Sequence, residues 1–155
     1  MRRRSLTLKS LLDVNVLIAL TDPEHHHHRA ARNWFASSGR ERLGICPLTE
    51  AGFLRVTTNP AFHPSPRTLE HAIAILQALK GRDDYWYCPI DRSWVTLTAP
   101  FATRVRGHQQ VTDAYLLGLA IKEDGVLVTF DRGLRYLAGA EFARNLLVLD
   151  GRSGG

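Results

Sequence analysis

Four acidic residues lie far apart in this chain, each beside an apolar run where a predicted strand ends or a predicted helix begins: Asp13, Glu50, Asp113 and Asp131. Carboxylates that gather in one pocket repel each other, so some must stay protonated or a cation must share them. Carboxylate oxygens are the ligands that Mg²⁺ prefers, and Mn²⁺ is a possible substitute. The four residues therefore predict a divalent-cation site at one edge of a sheet.

The segments that carry these acids alternate between predicted strands and predicted helices. Short apolar or aromatic runs predict strands over residues 10–14, 42–46, 85–90, 126–129 and 146–149. Apolar residues at helical spacing and helix-start signals predict helices over residues 15–20, 23–37, 47–58, 65–80, 112–123 and 131–137. This alternation predicts an α/β fold of three layers, in which a central, mainly parallel sheet of about five strands has helices on both faces. Ligands of such sheets bind at the carboxyl ends of the strands, where Asp13 and Asp131 are expected.

Capping signals predict several helix boundaries. The run Asp22-Pro23-Glu24 predicts a helix start with Asp22 as the cap, and Ser38-Gly39 predicts the end of that helix. Thr49, Thr112 and Asp131 are predicted to cap the helices that follow them. These boundaries place Glu50 and Asp113 in the first turns of their helices.

Size and composition indicate one soluble domain over residues 1–155, with residues 1–9 and 151–155 expected to be flexible. The chain is 45% hydrophobic and 23% charged, which is ordinary for a globular protein. Cys46 and Cys88 lie in predicted strands, so they are interpreted as buried hydrophobic residues of a cytoplasmic protein. No apolar run is long enough to span a membrane.

The charge balance is basic, with a formal net charge of +5 and 20 Lys and Arg residues against 15 Asp and Glu. Arginine supplies 17 of the 20, and its guanidinium binds phosphate and stacks on bases better than an ammonium group does. An RNA partner and a charge that merely keeps the protein soluble are both compatible with this balance. Four arginines flank the acids in sequence and are the candidates for phosphate contacts, although at least two are expected to be only solvated: Arg104, Arg106, Arg132 and Arg135.

The four acidic segments together resemble the PIN-domain nucleases, and most closely the VapC toxins of bacterial toxin–antitoxin pairs. The matching segments are LLDVNVLIAL, TEAGFLRV, TDAYLLGLA and VTFDRGL, and their order and approximate spacing agree from about Leu11 to Asp150. Each segment alone is weakly specific, whereas the ordered set is fairly specific. The resemblance implies a PIN-like fold and a cytoplasmic, Mg²⁺-dependent endoribonuclease. It also implies a homodimer, with a cognate VapB-type antitoxin that blocks the active site.

Carried over position by position, the resemblance makes Asp13, Glu50, Asp113 and Asp131 both the catalytic acids and the metal ligands. Asn15 and Thr129 match polar residues that neighbour the acids in this family, so they are expected to support the ligands. Bound metal would activate a water and stabilise the charge that develops on the phosphate. Glu50 would either bind the metal or orient the water. Arginine and aromatic side chains around the site would hold single-stranded RNA.

Two other classes of function are also compatible with the sequence. One is a PIN-like module that binds RNA or a partner without cutting it, although the complete set of four acids argues against this. The other is phosphoryl transfer on small molecules or receiver-type signalling. It is disfavoured because Asn15 stands where such phosphatases carry a second Asp. The run His25–His28 is not part of the family pattern and is interpreted as a solvated helix face.

Overall fold

A computed structural model describes residues 8–37 and 42–151, and these residues build a five-stranded parallel sheet. The strands are β1 (Lys9–Leu12), β2 (Arg42–Ile45), β3 (Tyr85–Tyr87), β4 (Val126–Thr129) and β5 (Leu146–Val148), in the spatial order β3-β2-β1-β4-β5. The predicted α/β fold with a parallel sheet of about five strands is confirmed. Residues 1–7 and 152–155 of the predicted flexible ends, and the predicted helix end at Ser38-Gly39, lie outside the described residues.

Helices cover both faces of the sheet. They are α1 (Val14–Thr21), α2 (His28–Ser37), α3 (Pro47–Thr57), α4 (Leu69–Lys80), α5 (Trp94–Thr98), α6 (Val111–Lys122) and α7 (Leu134–Ala138), and short 3-10 turns occur at Ala102–Arg104, His108–Gln110 and Ala143–Asn145. Leu11 and Leu12 of β1 are 1% and 0% exposed, and adjacent strand residues point to opposite faces. One core cluster joins Leu11 to residues of α6 and α7, and the other joins Leu12 to residues of α1, α3 and α4.

The helix predicted to begin at Pro23 begins instead at His28, so that boundary was wrong. Asp22 ends α1, because its backbone N–H donates to the carbonyl of Ile18 across 3.0 Å. Its side chain then accepts a hydrogen bond from the N–H of Glu24 at 3.0 Å, which closes a turn. Asp followed by Pro suits a turn as well as a helix start, and the end of α1 decides between them here.

The histidine run accordingly lies mostly in this turn, and its prediction as a solvated helix face was wrong. The ring of His26 stacks with that of His25 at 4.6 Å and packs tilted against that of His27 at 3.9 Å between ring centres, while His27 also stacks on Phe130 at 4.7 Å. His28 is the first residue of α2, and its Nδ1 lies 2.7 Å from the carbonyl oxygen of Ala19. Three of these histidines are therefore partly buried, and His26 is exposed.

Four other helix starts differ from their predictions, and one of them is α7, which begins at Leu134 after a cap at Gly133 and not at Asp131. Thr68, and not Ser65, caps α4, since its hydroxyl accepts a hydrogen bond from the N–H of His71. Thr49 is the third residue of α3, whose cap is Cys46; its hydroxyl accepts from the N–H of Cys46 at 3.1 Å. Thr112 likewise lies inside α6, which follows a cap at Gln110. Glu50 and Asp113 nevertheless lie in the first turns of their helices.

Both cysteines are free and buried, as the sequence predicted. Burial raises the pKa of the Cys88 thiol to about 12, so this group stays protonated and unreactive at neutral pH. Among the described residues, no helix has the length and apolar character needed to cross a membrane.

Candidate active site

The strand order opens a crevice at the carboxyl edge of the sheet between β1 and β4. From β1 the chain first continues to β2 and β3 on one side, and β4 and β5 are then added on the other side. Ligand sites of parallel sheets form where the strand order reverses in this way. Asp13 directly follows β1 and Asp131 follows β4 by two residues, so both acids lie beside this crevice.

Asp13 is held in one orientation by three hydrogen bonds. Its backbone N–H donates to the carbonyl of Val128 at 3.0 Å. Its Oδ1 accepts from the N–H of Val14 at 2.7 Å, and its Oδ2 accepts from the hydroxyl of Thr129 at 2.7 Å. The residue is only 7% exposed. Burial raises the pKa of Asp13 above its ordinary value, the two side-chain hydrogen bonds oppose that rise, and the charge of Asp131 adds to it.

Thr129 and Asn15 connect the end of β4 to the start of α1. The Thr129 hydroxyl donates to Asp13 and also accepts from the N–H of Asp131 at 3.0 Å. The Asn15 side chain donates to this hydroxyl at 3.4 Å and accepts from the N–H of Phe130 at 3.2 Å. These polar groups therefore satisfy each other and fix the positions of Asp13 and the backbone of Asp131.

Asp113 brings a third carboxylate to the same place. It lies in the first turn of α6, and the rest of that helix is anchored by buried residues from Ala114 to Ala120. The pKa of Asp113 is raised from 3.8 to about 7, first by burial, then by the charges of Asp13 and Asp131 and by a hydrogen bond with Asp131. At neutral pH this carboxyl group is thus partly protonated, and three acids remote in sequence share one electrostatic environment.

Glu50 has a different neighbour. It is in the first turn of α3, and its Oε1 accepts a hydrogen bond from Nζ of Lys80, the last residue of α4, across 2.6 Å. Among the described residues, the charges that raise the pKa of Asp113 come from Asp13 and Asp131, and Glu50 is not one of them. Sequence reasoning missed Lys80, because only the packing of α3 against α4 makes it a partner.

The four arginines near the acids have distinct surroundings. Arg104 donates to the carbonyls of Leu137 and Ala138 at 3.0 and 3.3 Å and pairs with Glu141. Arg132 is highly exposed and lies 4.0 Å from Asp150. The guanidinium of Arg106 lies over the ring of Tyr136, and Arg135 borders a shallow surface cleft with Leu146 and Val148.

A second group of candidate metal ligands lies at the other end of α1. Ligand atoms of Asp22, Glu24 and His63 all lie within 4.8 Å of one another, and they form the sole such trio of His, Cys, Asp or Glu in the described residues. The His63 ring nitrogen is 3.0 Å from Oδ2 of Asp22. Helix α1 has 8 residues, so it separates Asp22 from Asp13 by about 12 Å. The trio at Asp22 is therefore distinct from the acids at Asp13. The sequence did not indicate this group, because His63 is remote from the other two.

Comparisons with known proteins identify a family that this chain resembles along most of its length. Residues 10–140, which include all four acids, match the sequence profile described as the PIN domain. Ribonuclease VapC38 of Mycobacterium tuberculosis is 43% identical over 129 residues, which cover 83% of this chain and 89% of the relative. Ribonuclease VapC44 of the same species is 40% identical over 135 residues, covering 84% and 92%.

A solved structure shows the same fold. It is the crystal structure of VapBC2 from Rickettsia felis bound to a DNA fragment from their promoter. It superposes with a TM-score of 0.59 at 14% identity and covers 92% of this chain and all of the matched chain. At that identity the likeness concerns the fold alone.

Proposed function

Because this chain belongs to the PIN-domain family, we propose that it is a divalent-metal-dependent endoribonuclease of the VapC type and the toxin of a bacterial toxin–antitoxin pair. The observation that carries this proposal is the electrostatic coupling of three aspartates beside the crevice between β1 and β4, where the charges of Asp13 and Asp131 raise the pKa of Asp113. The likeness to the VapC ribonucleases supports the reaction and, through the toxin–antitoxin role that the VapC resemblance implies, an antitoxin partner.

The three aspartates suit a hard divalent cation. Their oxygens are the donors that Mg²⁺ prefers, and the raised pKa of Asp113 indicates that their negative charges are not yet balanced. Asp13, Asp113 and Asp131 would therefore hold Mg²⁺, or Mn²⁺ in its place. When bound, the ion would supply Lewis-acid stabilisation of the phosphate and make a water more acidic.

The protein itself contributes orientation and proton release. Thr129 and the N–H of Val14 hold the Asp13 carboxylate toward the crevice, so no side-chain rearrangement is needed there. Asp113 would release its proton on binding a cation, so cation binding would strengthen as the pH rises toward about 7. We assign Asn15 and Thr129 the role of supporting the ligands.

Glu50 completes the proposed catalytic set. It would bind the ion or orient the attacking water. Without the ion, the ion pair with Lys80 balances the charge of Glu50. The phosphate backbone of RNA would be drawn to the basic surface, with Arg106, Arg132 and Arg135 as the proposed contacts. A homodimer, a VapB-type antitoxin and a cytoplasmic location belong to the same proposal.

Cleavage of RNA by the purified full chain tests the proposal. We expect cutting with Mg²⁺, none with EDTA, and a loss of at least about a hundredfold in Asp13→Asn and Asp113→Asn, because each removes a ligand charge. Asp91→Asn is the matched control. Asp91 is an exposed acid that pairs with Lys122, at the end of α6 opposite to Asp113, so this variant should cleave RNA as the wild type does.

Two results would contradict the proposal. Cutting that persists in EDTA and in Asp13→Asn would place the activity at another site or in a contaminant. RNA binding without any cutting, at any Mg²⁺ or Mn²⁺ concentration, would instead favour the non-cleaving PIN-like module.

A further inference from the structure

An exposed aromatic ring and a guanidinium are stacked close to the acidic site. The guanidinium carbon of Arg106 lies 4.1 Å from the centre of the Tyr136 ring, and Tyr136 is 53% exposed. A cation over a ring face is held by the electrostatics of the ring and stiffens both side chains. The pair thus presents flat, polarisable groups to solvent without a packing role in the core.

Arg106 also forms part of a defined cleft. Its backbone N–H donates to Oε1 of Gln110 across 2.8 Å, which closes the segment 106–110 into a compact loop. Residues 106–110 line a cleft of about 390 Å³. Pockets for small organic ligands measure roughly 300–1,000 Å³, so a nucleoside fits in a cleft of this size.

The cleft adjoins the acidic site through Gly133 and Gln110. A Cβ atom placed on Gly133 would lie 3.1 Å from Oδ1 of Asp131 and 3.6 Å from Nε2 of Gln110. The carboxylate and the amide therefore border the same small space, which the missing side chain of Gly133 leaves open. Gln110 also caps α6, the helix that carries Asp113 three residues further on.

We propose that Tyr136 and Arg106 form a subsite for an unpaired nucleobase beside the phosphate that is cut; this inference rests on the proposed function. An aromatic ring stacks on any base, and the guanidinium adds a second plane and a positive charge for the neighbouring phosphate. A base inside a duplex does not offer its face, so the subsite selects single-stranded RNA. Stacking of this kind tolerates different sequences, and it acts on binding more than on the chemical step.

Binding of a short single-stranded RNA that carries the fluorescent base 2-aminopurine tests this subsite. The measurement uses the full chain in EDTA, so that the RNA stays intact, and follows the fluorescence quenching that stacking causes. Tyr136→Ala should remove most of the quenching and weaken binding about tenfold, equivalent to about 1.4 kcal/mol. Tyr136→Phe should bind as the wild type does. Arg106→Lys keeps the charge but not the plane, so it should lose part of the quenching.

Phe62→Ala is the control, because Phe62 is also an exposed aromatic residue but lies near Asp22, at the far end of α1. Circular dichroism and the thermal midpoint would verify that Tyr136→Ala is folded. In cleavage assays Tyr136→Ala should raise KM with little change in kcat. If Tyr136→Ala binds and quenches as the wild type does while cleavage stays metal-dependent, the subsite is refuted and the proposed function stands. If the wild type binds no RNA in EDTA, the subsite is refuted, and the proposed function is decided separately by the cleavage assay with Mg²⁺.

Discussion

The hydroxyl of Thr129 donates a hydrogen bond to Oδ2 of Asp13 across 2.7 Å, although the two residues are 116 positions apart in the chain. The same hydroxyl accepts from the backbone N–H of Asp131. A single side chain at the end of β4 therefore positions two of the three clustered acids. The carboxylate of Asp13 is nearly buried, so its lone pairs depend on this partner and on the N–H of Val14.

Replacing Thr129 by Val removes this hydroxyl at nearly constant shape. We expect the free energy of unfolding to fall by about 1–3 kcal/mol, because the carboxylate of Asp13 and the N–H of Asp131 each lose a partner. RNA cleavage should fall as well. Urea denaturation and a cleavage assay measure the two effects. Thr129→Ser keeps the hydroxyl and should retain most of the stability and of the cleavage activity. Equal losses in Thr129→Ser and Thr129→Val would argue against a role for the hydrogen bond.

Lys80→Met tests whether the ion pair of Glu50 limits cation binding. Without Lys80, the negative charge of Glu50 is no longer balanced, so Mn²⁺ affinity should rise by about two- to fivefold, the scale of a partly exposed ion pair. Electron paramagnetic resonance of Mn²⁺ measures the affinity directly. The double substitution Glu50→Gln with Lys80→Met should cancel the gain. Tighter binding that survives in the double variant would show that Glu50 is not responsible.

The raised pKa of Asp113 predicts that the metal-free protein loses stability as the pH rises. An acid with a higher pKa in the folded state binds its proton more tightly when folded. Its contribution is therefore complete below the unfolded value near 3.8 and is lost as the pH rises through about 7. Between pH 5 and pH 8 the thermal midpoint in EDTA should fall by a few degrees. This corresponds to a loss on the order of 1 kcal/mol in the free energy of unfolding.

Asp113→Asn isolates this effect from other titrating groups, such as His25 and His27, whose pKa values are lowered. The variant should show a flatter dependence of the thermal midpoint on pH. Adding Mg²⁺ to the wild-type protein at pH 8 should raise its midpoint again. An unchanged slope in Asp113→Asn would assign the pH dependence to another group.

Arg104 and Arg132 should respond differently to replacement. Arg104→Gln removes hydrogen bonds to carbonyls at the end of α7, so we expect a loss of about 1–2 kcal/mol in the free energy of unfolding. Arg132→Gln removes an exposed charge, so it should leave stability unchanged and weaken RNA binding more at low salt than at high salt. Chemical denaturation and binding at two salt concentrations distinguish these outcomes. A stability loss in Arg132→Gln, or none in Arg104→Gln, would contradict the assignment.

Much of the fold follows from local patterns. The strand at residues 126–129 was predicted to the residue, because a β-branched apolar run is bounded there by the turn at Asp124-Gly125. The start of α2 was not, since the Asp22 signal suits both a turn and a cap. The N–H of Asp22 donates a hydrogen bond to the carbonyl of Ile18. Whether it does so depends on where α1 ends, which the local sequence does not specify.

The candidate site divides in a similar way. Acids at strand ends and helix starts were candidates because of their neighbours in the chain, whereas Thr129 and Asn15 were candidates because of the family resemblance. The ion pair of Glu50 with Lys80 and the stacking of Arg106 on Tyr136 could not, because each joins residues about 30 positions apart from separate elements. Local patterns carry no information on such pairs.

The sequence alone thus determined most of the elements, although not α5, and which residues can carry chemistry, because the spacing of apolar side chains and the type of each polar group are local properties. Only the tertiary structure decided which of these groups meet, how deeply each is buried and how its pKa shifts. Burial and Coulomb interactions depend on distances through space, and those distances arise only when the helices pack on the sheet.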